Sequence, residues 1–362
     1  MQDYKNPNLL LTDTDFETSK VIWRSPSNLA IVKYWGKYGV QLPKNPSISF
    51  TLENAFTETL VEYSPRTSGK PGIALDFLFH GEINEPFRLK MVKFLESITD
   101  IFPFLTQMDL RVQSANSFPH SAGIASSASS MSALALCLCS IEDELFDTLG
   151  DDNSFEQKAS FIARLGSGSA CRSIYGMMGL WGETGEVAGS SNLFAVPFEA
   201  ELHDVFKTFH DDILIASKSE KSVSSRAGHA LMENNDYAAP RYQQANQRLS
   251  HLLGALKTGD LETFGNIAEN EALTLHALMM TSDPSYILMR PNTLKMIEIL
   301  RDYRAATGHP VFFSLDAGPN LHILYPEDIV HEIRPFIENE LEQYCEEGLW
   351  IPDWVGNGPV QI

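Results

Sequence analysis

Cysteine is scarce in this chain of 362 residues, with four in all, at Cys137, Cys139, Cys171 and Cys345. Their spacing fits neither a zinc site nor a disulfide framework, so neither is expected to hold the fold together. Cys137 and Cys139 fall in an apolar helical run and are expected to be buried thiols. Positive charge is also scarce: 27 Lys and Arg face 47 Asp and Glu, a net charge of −20. That balance argues against nucleic acid or an anionic membrane as the main partner. It also means that a site for a phosphorylated ligand must gather its cations locally. No apolar run reaches the ~20 residues of a membrane helix. The opening "MQDYKNPNLLLTDTDF" is polar and acidic and lacks an apolar signal core. A soluble protein of the reducing cytoplasm is the expectation. The ten histidines form no HExxH or other metal spacing. There is no internal repeat and no low-complexity tract.

What is present is an ordinary hydrophobic fraction, 43%, enough for a sizeable core. The length favours two domains. "NLAIVKYWGKYG" begins as a strand at Asn28 and turns at Gly36 and Gly39. "PSISFTLENAFTETLVEYS" alternates over a long stretch and reads as paired strands. "GIALDFLFHGEINEPF" reads as a hairpin about Gly81, and "RLKMVKFLESITDIF" has helical period. "MDLRVQSANSF" reads as a strand, Ser154–Arg164 as a helix, and "GMMGLWGE" and "NLFAVPFE" as strands. The character then changes. "DDILIAS" is a short strand, and helices follow over 238–256 and 261–280 and in "TLKMIEILRDYRAATG". "HPVFFSLDAGPNLHILYP" is strand, tight turn, strand, and "IVHEIRPFIENELEQY" is a last helix. The mixture lacks strict βαβ alternation, so the class is α+β. The boundary falls within 206–211, giving domains over residues 1–208 and 209–362.

Five stretches carry chemistry. In "SANSFPHSAGIASSASS", from Ser114 to Ser130, a strand ends, small residues follow and a helix begins. Its first N–H groups have no internal partner and carry partial positive charge. Small side chains would let an anion reach them, and the serine hydroxyls at 126, 127, 129 and 130 could add donors or hold Mg²⁺. No Lys follows the glycine, so this is not the Walker pattern. A plain capping turn explains the stretch equally well. "ARLGSGSACRSIYG" repeats the composition: Ser167, Gly168 and Ser169 can approach phosphate oxygens, and Arg172 offers a planar fork for a carboxylate or phosphate. A helix-breaking loop with a surface arginine is the plainer alternative. "KYWGK" sets Lys33 and Lys37 about a turn with Tyr34 between them, either an anion clamp or a solvated face. "SLDAGPN" sets Asp316 after an apolar strand, where it either orders the turn or serves as a base. "SEKSVSSRAG" adds Ser225 and Arg226 beside Lys218 and Lys221 as a second cationic spot.

Together these stretches resemble the diphosphomevalonate decarboxylase family of the GHMP kinase superfamily. The matches are "NLAIVKYWGK", "PSISFTL", "FPHSAGIASSAS", "ARLGSGSACRSIYG", "SVSSRAG" and "SLDAGPN", in the family's order from Asn28 to about Leu324. "KYWGK", "GSGSACRS" and "DAGPN" in combination are highly specific. The resemblance implies a two-domain GHMP kinase-like fold with the active site in the interdomain cleft. It implies ATP, Mg²⁺ and (R)-5-diphosphomevalonate as ligands, and it is compatible with a homodimer. Asp316 takes the place of the family's catalytic aspartate, Lys33 that of the lysine near the reacting hydroxyl, and Arg172 that of the arginine holding the substrate carboxylate. Tyr34, Trp35, Gly36, Lys37, Ser167, Gly168, Ser169, Ser225 and Arg226 fall at substrate positions, Ser225 and Arg226 at a diphosphate-binding pair. Asn116, Ser121, Ala122, Gly123, Ala125, Ser126 and Ser127 fall at nucleotide positions, with Ser127 on Mg²⁺. The alternatives are a mevalonate-phosphate decarboxylase or mevalonate kinase paralogue, or a homologue that binds without catalysis. The chain departs from the family in "PHSAGI", which puts His120 where the family has Thr, and in serines at 129 and 130. The first 21 residues are longer than the family needs, and the tail "EEGLWIPDWVGNGPVQI" has no assigned counterpart.

Overall fold

The computed structural model describes residues 4–13, 16–69, 71–119, 124–219 and 222–362. The first half is built on strands β1 (Ser19–Val32), β2 (Lys37–Tyr38), β3 (Leu42–Pro43), β4 (Ser47–Pro65), β5 (Ala74–Phe79), β6 (Glu82–Ile83), β7 (Met108–Asn116), β8 (Met178–Trp181) and β9 (Ala195–Pro197). Helices α1 (Glu85–Ser97), α2 (Ser126–Phe146), α3 (Asp152–Gly166) and α4 (Asp204–Lys207) accompany them. β1 and β4 pair antiparallel from Ser19↔Tyr63 to Val32↔Ile48. On its other edge β4 meets β7 with its second half and β8 with its first. β5 lies parallel to β7 and turns at Gly81 into β6, as the hairpin expectation has it.

Two readings of this half are corrected. The alternating stretch is one 19-residue strand, not a pair of strands. The first strand begins at Ser19 rather than Asn28. Pro26, which has no N–H for a ladder, sits where the register to β4 shifts, so a bulge carries the strand past it.

The second half has strands β10 (His210–Leu214), β11 (Phe312–Ser314), β12 (Leu321–Tyr325), β13 (Trp350–Ile351) and β14 (Val360–Gln361). Its helices are α5 (Ser225–Leu231), α6 (Ala238–Thr258), α7 (Leu261–Met280), α8 (Pro291–Thr307) and α9 (Val330–Phe336). β11, β12, β10 and β13 form a separate sheet in that order. The last helix is shorter than its sequence period implies. Pro335 lies inside it, and after Phe336 the chain continues as a wider π turn over Ile337–Leu341.

Leu29, Ile31, Val32, Ile48 and Phe50 pack in one core with Leu249, Leu252, Phe264, Ile267 and Phe312. The opposite face of the sheet is covered by α2 and α3. The "NLAIV" end of β1 is thus buried on both faces, which explains its unbroken apolar run. The same packing brings α6 and α7 against the end of β1, where Lys33 follows.

The tail has a structural role that its sequence does not announce. β13 adds to β10 in one sheet and β14 to β1 in the other. Between them Asp353, fully buried, accepts N–H bonds from Glu53, Asn54 and Ala55 of the first half. Burial, reinforced by nearby Asp211, pushes its carboxyl up to about 7 even though these N–H groups pull the other way. The four cysteines are buried free thiols, and burial raises each of them.

Candidate active site

β1 ends with the Val32↔Ile48 pair, and Lys33 is the first residue beyond it. Its side chain is 2% exposed, and its Nζ donates to Asp316 Oδ1 at 2.9 Å. Asp316 leaves the end of β11 in the "DAGPN" turn, which is closed by Gly318 N–H on the Asp316 carbonyl at 2.7 Å. Thr293 of α8 anchors the turn through the Pro319 carbonyl at 2.6 Å. A buried ammonium needs a partner, and this aspartate, at 21% exposure, is both that partner and the group still open to a ligand.

Arg172 is buried beside them. Three of its five N–H groups are spent: Nε on Ser49 at 2.9 Å, Nη1 on Ser47 at 2.6 Å and Nη2 on Asn28 at 3.3 Å. Desolvation pulls its pKa down, and the Asp316 carboxylate is close enough to push back. The plane of the guanidinium is therefore set from two strands. The surface-arginine alternative does not hold.

Tyr34 packs edge-on to Trp181 at 4.7 Å and against His229 at 4.3 Å. Its hydroxyl is buried without a hydrogen-bond partner among the described residues. A Cβ at Gly168 would stand 2.9 Å from that hydroxyl and from the Trp181 ring, so only glycine admits this approach. Ser167 Oγ meets Ser127 Oγ at 3.2 Å, which joins the "GSGS" turn to the start of α2. The Ser169 carbonyl accepts from Asn28.

Trp35 turns into a cluster with Met232, Leu275 and Met279 and packs at a tilt against His229, ring centroids 4.5 Å apart. Gly36, at φ +100°, donates its N–H to His229 Nδ1 at 3.0 Å, and any Cβ there would strike the Tyr242 hydroxyl. His229 is therefore an acceptor and neutral; burial, with Lys37 adding to it, drives its pKa down to about 3. Lys37 is half-buried and bonded to Gln41 at 3.0 Å. Burial lowers its pKa first, and Arg226 second. Two cations from opposite halves of the chain are thus held near one another. Ser225 and Arg226 lie exposed at the start of α5. Lys218 does not join them: its Nζ is paired with Glu347. Lys221 lies outside the described residues.

α2 starts at Ser126 after Ala125, which sits at φ +41° and gives no side-chain cap. Ser127 is exposed. Ser129 and Ser130, offered above as further donors, instead bond back to the Ser126 carbonyl, and Ser129 also meets Thr57 at 2.6 Å. Asn116 accepts from Thr57 at 2.8 Å, and its buried Nδ2 has no partner among the described residues. His120, Ser121, Ala122 and Gly123 lie outside the described residues. Among the described residues no group of His, Cys, Asp and Glu is arranged to hold a metal, and no helix is long and apolar enough to cross a membrane.

Residues 25–193 match a family model described as the diphosphomevalonate decarboxylase-like N-terminal domain, and residues 212–348 match the mevalonate 5-diphosphate decarboxylase C-terminal domain. The diphosphomevalonate decarboxylase of Schizosaccharomyces pombe is 30% identical over 321 residues, 84% of this chain and 78% of that one. The chain belongs to the diphosphomevalonate decarboxylase family. The family's enzyme from Danio rerio is 28% identical, over 88% of this chain and 80% of its own. Among solved structures, the family's Staphylococcus aureus enzyme superposes with a TM-score of 0.81 at 26% identity, covering 96% of this chain and 98% of that one. A family complex with MVAPP, AMPPCP and magnesium gives 0.80 at 27% identity, covering 96% and 99%.

Several residues of the site were not singled out in the sequence. Asn28, Ser47 and Ser49 stand inside the quoted stretches, and the i, i+2 spacing of the two serines puts both on one face of β4. Glu271, Arg241 and His276 stand in helices whose apolar period shows a buried face but not what that face meets, and His229 stands in the short α5, where no such period is present.

Proposed function

We propose that this chain catalyses the ATP-dependent decarboxylation of (R)-5-diphosphomevalonate to isopentenyl diphosphate, with release of ADP, phosphate and CO₂. One observation carries the reading: a buried lysine and a partly open aspartate, from opposite halves of the chain, meet at 2.9 Å beside a buried arginine. In a chain of the diphosphomevalonate decarboxylase family, that is the chemistry the reaction needs.

The substrate carries a tertiary hydroxyl and a carboxylate. Hydroxide is a poor leaving group, so the hydroxyl is first phosphorylated. Asp316 orients it and accepts its proton. Lys33, bonded to that carboxylate at 2.9 Å, holds it in place and offsets charge on the phosphoryl oxygens. Arg172, its plane held by Ser47, Ser49 and Asn28, orients the substrate carboxylate. As the C–O bond to phosphate breaks, the electron pair of the C–CO₂ bond forms the new double bond. Lys37 and Arg226 lie where they can take the diphosphate, and the Tyr34 hydroxyl has a hydrogen bond to give. The uncapped start of α2, with Ser126 and Ser127, fits a triphosphate. Ser127 fits Mg²⁺, a hard cation that accepts hydroxyl and phosphate oxygens and would neutralise charge on the phosphates. We divide the chain into units of residues 1–208 and 209–362, with the tail returning to the first. The buried free thiols accord with a reducing cytoplasm.

The test is incubation of the purified protein with ATP, Mg²⁺ and, separately, mevalonate, its 5-phosphate and its 5-diphosphate. Equal release of ADP, phosphate and CO₂ with the diphosphate alone is expected. ADP without CO₂ would make the protein a kinase.

A further inference from the structure

We propose that α7 is the spacer that sets the Lys33–Asp316 pair, with Glu271 and His276 as positioning residues; this rests on reading that pair as the reacting centre. Lys33 lies just past the last β1–β4 pair, so its peptide groups have no ladder partner. Glu271 of α7 supplies one, accepting the Lys33 N–H at 2.8 Å. Arg241 Nη2 and Asn45 Nδ2 donate to the Lys33 carbonyl at 3.2 and 3.1 Å. On the same helix His276, also buried, meets the Asp316 carbonyl through Nε2 at 3.1 Å. A carbonyl only accepts, so this nitrogen carries the proton. Both members of the pair are thus gripped by their backbones from one helix.

Glu271 is shaped for this duty. It is fully buried, and burial alone would push its carboxyl up. Arg241, bonded to it at 2.6 Å by each Nη, and Arg248, at 2.7 Å, outweigh burial and hold it below the usual range. A buried ion cluster is a poor device for stability alone, since apolar packing serves as well. What it does here that apolar side chains could not is hold a fixed acceptor against the Lys33 N–H. α7 is rigid enough to act as a spacer: it runs 20 residues and is capped by Asp260 on the Thr263 N–H. The two grips lie five residues apart, about 7.5 Å along a helix axis.

A group displaced by about 1 Å can lose up to ~100-fold in rate. His276→Leu removes the N–H, and kcat should fall by about 10- to 100-fold while the KM values for diphosphomevalonate and ATP stay within about threefold. His276→Gln, whose amide can donate to the same carbonyl, should restore most of kcat. Glu271→Asp keeps the charge but withdraws the acceptor by one methylene. It should lower kcat with both KM values held, and it tests the other grip independently should the leucine variant not fold. Melting temperature is measured on each protein. The proposal is overturned if folded His276→Leu and Glu271→Asp proteins turn over within about twofold of wild type, or if His276→Gln is as slow as His276→Leu. Asp316→Asn, measured alongside, separates the two levels: if it is inactive while the α7 variants are normal, only the spacer role fails. If it is active, the reading of the reacting centre fails with it.

Discussion

His229 should make stability depend on pH in a direction that the structure specifies. Its Nδ1 accepts the Gly36 N–H, its ring lies against Tyr34 and Trp35, and Lys37 is nearby. Protonation would break the bond and bury a charge. The folded-state pKa is therefore depressed from 6.5 to about 3. Unfolded chains bind this proton below pH ~6.5 and folded ones do not, so stability is fully present above that pH and is lost as pH falls toward ~3. At pH 5 the difference spans ~1.5 pH units, or about 2 kcal/mol. Asp353 works in the opposite sense: with its carboxyl raised from 3.8 to about 7, its share of stability is present at low pH and is lost as pH rises through that value. The comparison must therefore be between proteins. Wild type and His229→Asn, which retains an acceptor but does not titrate, are unfolded in urea at about pH 7.5 and pH 5. Wild type should lose ~2 kcal/mol more than the variant between the two. Equal losses would refute a buried neutral His229.

Arg172→Lys keeps the charge but cannot reach Ser47, Ser49 and Asn28 together. Losing two charge-assisted bonds at ~1.5 kcal/mol or more each should lower stability by about 3 kcal/mol. Catalysis should fall with it; denaturant unfolding and steady-state kinetics on one preparation check both. Asp353→Ala strands the N–H groups of Glu53, Asn54 and Ala55 and should cost about 3 kcal/mol in the same unfolding assay. An unchanged midpoint would mean that the tail is no tie between the sheets. Arg226→Ala should raise KM for the diphosphate more than for the monophosphate, and an unchanged preference would remove it from the diphosphate site.

The residues proposed for catalysis are more legible in the sequence than the frame that aims them. Lys33, Arg172 and Asp316 stand in short stretches where turn residues and charge coincide, and those local patterns survive folding. The N-cap question at Ser126 was not decidable locally, because a cap and a cradle use the same residues. The absence of a side-chain cap at Ala125 appears only in three dimensions. β4 reads as two strands because 19 residues of alternation exceed a usual strand, and only its three partners allow that length. The tail was opaque because strands of two residues carry no period. Glu271 and His276 looked like ordinary helix residues. Their meaning depends on Lys33 and Asp316, which lie far away in sequence.

The most direct test of the account is turnover by Asp316→Asn. The substitution keeps shape and hydrogen-bonding reach but removes the base and the charge partner of Lys33. With ATP, Mg²⁺ and diphosphomevalonate, CO₂ release should fall by at least ~100-fold. Substrate affinity, measured by calorimetric titration, should stay within several-fold of wild type. CO₂ release near the wild-type rate would contradict the account, and the reacting centre would have to lie elsewhere.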